Sequence, residues 1–170
     1  AAEALIRFGT VATPYLIEAL SVKEQGSARL WAASILTSIR DPLSVEALLS
    51  ALRDRHDLVR VASADALGGI KDPRALAPLM QAALRDPAPL VRSQAAVAAA
   101  QLSGAEAANI LLGALRDPDY ATRLRALEAF ESMQLSDTSP LETALTDESV
   151  EVQRRAALAL ERTGHLQRLV

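Results

Sequence analysis

Cysteine is absent from this chain, so it can form no disulfide, no thiolate nucleophile and no cysteine-ligated metal site. The absence leaves the redox compartment open. Histidine is scarce: His56 and His165 stand far apart in sequence, and no pair is placed to share a metal or a proton relay. Aromatic residues make up only 3% of the chain, so a core must be assembled from Ala, Leu, Val and Ile. Charge of one sign is lacking as well. Eighteen Lys and Arg against 21 Asp and Glu leave a formal charge of −3, which generates no field able to hold a polyanion. No apolar run approaches the roughly 20 residues that span a bilayer. The expectation is a soluble, cytoplasmic chain without membrane insertion, nucleic acid or cofactor.

What the chain does contain is a period. "LLSALRD" (48–54), "MQAALRD" (80–86), "LLGALRD" (111–117) and "LETALTD" (141–147) align on Asp54, Asp86, Asp117 and Asp147. Six residues after these aspartates stand Arg60, Arg92, Arg123 and Gln153, and Arg29 precedes Arg60 by one period. Four positions beyond each of these rungs lie Ala33, Ala64, Ala96, Leu127 and Ala157; seven beyond lie Leu36, Leu67, Ala99, Phe130 and Leu160. Offsets of four and seven share one face of a helix. Each unit therefore reads as two helices. The first ends at the "ALRD" signature; the second opens near the arginine and closes at Ile39, Ile70, Leu102 or Met133. The Asp-Pro steps at 40–42, 71–73, 85–87 and 116–118 read as helix starts, a side-chain cap beside a proline. Pro14, Pro78 and Pro140 are expected to bend or begin the first helices.

This pattern of paired helices, with copies such as "HDLVRVASADAL" (56–67) and "APLVRSQAAVAA" (88–99), resembles the short bacterial HEAT-like repeats, the class also named after phycobilisome lyases. The resemblance implies an all-α, right-handed α-solenoid of about five helical hairpins. Repeats are expected at 10–40, 41–71, 72–103, 104–134 and 135–164, followed by a tail at 165–170. Residues 1–9 read as the closing half of a further second helix, with another repeat before it. The resemblance also implies that the aspartate of one helix and the arginine of the next form a structural ladder between neighbouring units: Arg29, Asp54, Arg60, Asp86, Arg92, Asp117, Arg123 and Asp147. Recurrence at one address per unit favours that role over a ligand hook. Val22 and Gln153, which interrupt the pattern, should weaken the ladder at its two ends.

Chemistry is hard to find. HEAT-repeat hydroxylases bind iron through His-Glu pairs, whereas here Asp57 and Leu166 follow the two histidines. Ser63 lies seven residues from His56 across a turn, a poor catalytic pair. DNA glycosylases of this architecture clasp the duplex in a basic, aromatic concavity; here basic residues alternate with acidic ones. The glycines of "LGGIKDP" (67–73) suit close helix packing better than a phosphate loop. No catalytic, metal or cofactor-binding residue is assigned, and the chain is read as a non-enzyme.

Binding is expected on the second helices, at positions one, two, five and nine beyond each rung. The candidates are Leu30, Trp31, Val61, Asp65, Gln94, Arg125, Glu128 and Arg155, with Ser93 and Leu124 on the same strip. Trp31 is either an interface anchor or a packing residue for a neighbouring helix. Arg125, Arg154, Arg155 and Arg162 either form a basic patch or pair with Glu128, Glu131, Glu151 and Glu161 within their helices. The partner expected is another protein or an extended peptide. The alternative is a regulatory or accessory module of an enzyme, such as a bilin lyase subunit, with the chemistry elsewhere. Self-association is expected through Leu5, Phe8, Tyr15 and Leu16 at the N-terminal end.

Overall fold

The computed structural model describes residues 2–22, 24–102, 109, 111–132 and 137–162, and among them every regular element is helical. In chain order these are α1 (Ala2–Phe8), α2 (Thr13–Ser21), α3 (Gly26–Ile39), α4 (Val45–Ala51), α5 (Asp57–Ile70), α6 (Leu76–Arg85) and α7 (Pro89–Leu102). A helical segment at 111–114 follows, then α8 (Tyr120–Ser132), α9 (Ser139–Ala144) and α10 (Val150–Arg162).

The long second helices stack side by side in the order α3, α5, α7, α8, α10. The first helices α2, α4, α6 and α9 each pack on the second helix that follows them. The result is an α-solenoid. Helix α1 packs on α3. Small residues set the spacing of the stack: Ala33, Ala64 and Ala96 are fully buried where second helices meet the layers beside them. Large aliphatic or aromatic side chains fill the seams from α3, α5, α8 and α10, through Leu36, Leu67, Leu127, Phe130 and Leu160, whereas α7 contributes Ala96 and Ala99. Ala157, by contrast, is only half-buried. Gly68 permits the closest approach. A Cβ there would lie 2.9 Å from the Ala98 Cα in α7, so at this point α5 and α7 have no room for a methyl group.

The first helices are interrupted ahead of their prolines. Short 3-10 turns, Gly9–Ala12, Pro42–Ser44 and Pro73–Ala75, precede α2, α4 and α6. Pro14 and Pro140 occupy the first turns of α2 and α9, where a missing N–H costs nothing. Pro78, the third residue of α6, is in the same situation. The change of direction is thus taken up by the tighter turn, and the α segments need no internal break.

The four Asp-Pro steps divide into two kinds. At 41–42 and 72–73 they start helices: the carboxylates of Asp41 and Asp72 accept from the N–H of Leu43 (3.0 Å) and Arg74 (2.9 Å). Immediately before them Arg40 and Lys71 close α3 and α5 in the left-handed region, at φ 55° and 61°, donating to the carbonyls of Leu36 and Leu67. At 86–87 and 117–118 the steps are not helix starts. Asp86 closes α6, and α7 and α8 begin only at Pro89 and Tyr120. Here the aspartate folds the connecting turn inside a hairpin. The second helices accordingly open three residues before the rung. They end at Ile39, Ile70 and Leu102; Met133 lies outside the described residues.

Candidate functional site

Each arginine rung sits one turn inside its helix and reaches in two directions. Arg60 Nη1 donates to the backbone carbonyl of Asp54 in its own unit (2.8 Å), while Nε and Nη2 donate to both carboxylate oxygens of Asp86 in the next (2.8 Å each). Arg92 repeats this with the Asp86 carbonyl (3.0 Å) and the Asp117 carboxylate (2.7 and 2.8 Å). Arg123 does so with the Asp117 carbonyl (2.8 Å) and the Asp147 carboxylate (2.8 and 2.9 Å). Arg29 holds the carboxylate of Asp54 in the same fork. The planar guanidinium is the only side chain that can satisfy a carboxylate and a turn carbonyl together in this geometry. Each carboxylate also accepts from the N–H two residues on, at His56, Ala88, Asp119 and Ser149, which fixes the turn.

The two interruptions behave differently from a simple loss. Val22 offers its backbone carbonyl to Arg29 at 2.7 Å, so that bond needs no acidic side chain. Gln153 keeps the inward bond, from Nε2 to the Asp147 carbonyl, but has no fork for a further carboxylate. Electrostatics follow the geometry. Burial acts against the charged form of Asp54 and Asp117, yet the Arg29 and Arg92 guanidinium groups and the turn N–H bonds hold both below the usual carboxylate range. Asp147 is lowered chiefly by its hydrogen bond with Arg123.

On the second-helix face, most described residues at positions two, five and nine beyond the rung are exposed, while Ala62, Gln94, Arg155, Val97 and Gly69 are half-buried. Trp31 is 62% exposed, and Asp65, Arg125 and Glu128 are exposed too. Position one is different. Ser93 is buried, with its hydroxyl bonded to the Leu90 carbonyl, and Leu30, Val61 and Leu124 are half-buried. One residue past the rung, a helix has rotated about 100° towards the adjoining layer, so this position belongs to the seam. Gln94 donates to Asp65 across the layers at 2.8 Å. Arg155 and Arg162 both take Glu131 of the preceding second helix, at 2.7 and 2.9 Å. These contacts cross between layers; they do not run along one helix. Glu131 gathers two arginines, a role that sequence spacing does not signal because its partners lie 24 and 31 residues away.

At the N-terminal end, Ala2, Glu3, Leu5, Trp31 and Ile35 line an open cleft of about 600 Å³ between α1 and α3. Phe8 and Tyr15 are 65% and 71% exposed, and Leu5 is half-covered by the core. Leu16 is not uncovered: it is 4% exposed, because α2 turns it into the seam with α3. Ser63 is buried and bonds the Val59 carbonyl, whereas His56 is exposed, so the two form no pair. His165 lies outside the described residues. Among the described residues no three His, Asp or Glu side chains converge on a metal-sized site, and no helix is long and apolar enough to cross a membrane.

A family model for HEAT repeats matches residues 13–100 and, one unit later, 45–131. No curated protein matches the chain in sequence. Among solved structures, a chain in the complex of CpcE and CpcF of phycocyanin lyase from Nostoc sp. PCC7120 is similar, with a TM-score of 0.69 and 27% identity. That alignment covers 88% of this chain and 98% of the other. A chain of the S. pombe condensin Cnd3-Cnd2 subcomplex gives a TM-score of 0.74 at 19% identity, a likeness of fold. The alignment takes in 88% of this chain but only 22% of the condensin chain.

Proposed function

From the premise that the chain belongs to the HEAT-repeat family, we propose that it is a non-catalytic scaffold binding another protein, or an extended peptide, along its second-helix face. The observation that carries this reading is Trp31. It is the sole tryptophan, it stands exposed on α3, and it borders the apolar cleft with Leu5 and Ile35. A large, rigid aromatic at the rim of an apolar cleft is the residue type that anchors protein interfaces. Asp65, Gln94, Arg125, Glu128 and Arg155 continue the surface with polar groups. At about 10 Å per layer, five layers extend the face to roughly 50 Å, long enough for an extended segment.

A second reading is supported by the similarity to a chain of the CpcE–CpcF complex over nearly that chain's full length. In it, the scaffold is an accessory subunit of an enzyme such as a bilin lyase, with the reacting groups on the partner.

The test uses the tryptophan itself. Peptides selected from a random library for binding to the chain are titrated while Trp31 emission is followed. Binding on this face shifts the emission to the blue, and Trp31→Ala weakens the same peptides at least tenfold, read by calorimetry, with an unchanged melting temperature. If selected peptides bind the variant as well as the parent, the second-helix face is not the recognition surface.

A further inference from the structure

The ladder leaves a second row of arginines unused. Arg53, Arg85 and Arg116 each directly precede a ladder aspartate, 32 and 31 residues apart, and all three are exposed. The acid beside each is unavailable to it: the carboxylates of Asp54, Asp86 and Asp117 point into the seam, held by Arg29, Arg60 and Arg92 and by turn N–H groups. Among the described residues no carboxylate lies within ion-pairing distance of Arg53, Arg85 or Arg116, although Arg74, Arg155 and Arg162 elsewhere on the molecule all have partners. Three uncompensated guanidinium groups in register are conspicuous on a chain whose net charge is −3.

Between Arg53 and Arg85 the surface mixes apolar and polar groups. Arg53 and Arg85 flank a cleft of about 370 Å³ between α4 and α6, where Leu49, Pro78 and Ala82 lie beside Gln81 and the ladder residues Asp54, Arg60 and Asp86. Leu84, 58% exposed, reaches to Gly113 of the following unit. A smaller hollow of about 110 Å³ lies beside Arg116, lined by Leu112 and Pro140. The edge thus carries three arginines in register, with one partly apolar hollow between the first two and another beside the third.

We propose that this edge, where the first helices end, is a docking site for an extended acidic peptide whose carboxylates recur every third residue. Layers are spaced about 10 Å apart, and a peptide in the extended polyproline II conformation advances about 3.1 Å per residue with three residues per turn, so carboxylates at every third residue share one side and each meets the next arginine. The intervening side chains, small and apolar, enter the hollows. Exposed pairs of this kind are individually weak, and register supplies the selectivity. A nucleic acid strand fits less well, because the hollows present no aromatic platform on which bases could stack. The site is separate from the Trp31 face and does not depend on the reading given to it.

Fluorescein-labelled peptides measure this by anisotropy at low ionic strength: one repeating Asp-Leu-Ala, one of identical composition with its aspartates clustered, and a single-stranded oligonucleotide of similar charge. The repeating peptide is expected to bind at least fivefold more tightly than either control. Replacing Arg53, Arg85 and Arg116 together by alanine is expected to lower that affinity at least tenfold, with the melting temperature unchanged, and Trp31→Ala to leave it unaltered. Equal binding of the repeating and clustered peptides, tighter binding of the oligonucleotide, or undiminished binding by the triple variant would each overturn the proposal.

Discussion

At the scale of single residues, arginines of one chain divide by what they hold. Arg92 is largely buried, forks onto Asp117 and caps the Asp86 carbonyl. Its removal strands a carboxylate and a carbonyl in a seam that water enters poorly. Arg92→Ala is therefore expected to cost about 3 kcal/mol in urea unfolding. Arg92→Lys should recover only part of this, since an ammonium cannot reproduce the fork. Arg74 makes ion pairs of 2.7 and 2.9 Å with Glu46 and Asp72, but it is exposed. Arg74→Ala should leave the urea midpoint where it is. Equal losses for Arg92→Ala and Arg74→Ala would refute a structural ladder.

Between elements, the decisive quantity is the distance at which helices meet. Gly68 and Gly69 are neighbours near the end of α5, and helix propensity alone predicts that alanine improves both by up to about 1 kcal/mol. Their surroundings differ. At Gly68 a methyl group would meet the Ala98 backbone at 2.9 Å and the Gln101 Oε1 at 2.6 Å. The glutamine end can swing away, but the α7 backbone cannot. At Gly69 the nearest atom is Arg40 Nε, 3.3 Å away on a flexible side chain. Gly68→Ala is thus expected to destabilise by roughly 1–3 kcal/mol, and Gly69→Ala to raise the melting temperature. Thermal unfolding of the two variants side by side reads the opposite signs. A gain at both positions would mean that the α5–α7 contact is looser than described.

Across the whole molecule, stability is the sum of layers and the seams between them. Three seams contain an aspartate held below the usual carboxylate range: Asp54, Asp117 and Asp147. A carboxyl whose folded pKa is depressed contributes stability that is fully present above its unfolded value, about 3.9, and is lost as pH falls through the folded value. The fold should therefore keep a constant urea midpoint from neutral pH to about pH 5 as far as these groups are concerned. Below about pH 4 it should lose stability at several seams together. Arg92→Ala removes one such seam, so its midpoint should fall less steeply with acid than the parent's; parallel pH curves would argue against the assignment.

The alternation of helices, their seven-residue faces and the positions where they end are legible in the sequence, because these depend on neighbours within a turn or two. Leu36, Leu67 and Leu160 announce the buried face by spacing alone, and Ile39 and Ile70 mark helix ends because an Asp-Pro step follows each closely. Contacts made by stacking are another matter. Nothing in the spacing of Ser93 distinguishes it from Gln94, yet one is buried in the seam and the other reaches across to Asp65. Nor does the "ALRD" signature reveal that, beside the aspartates whose ladder role the resemblance implies, Arg53, Arg85 and Arg116 stay outside with no ion-pair partner among the described residues. The tertiary structure decides these cases because a side chain's partner about 25 residues away depends on how far one layer is rotated and displaced against the next. That geometry is set by the summed packing of small residues along the seam, which no local pattern encodes.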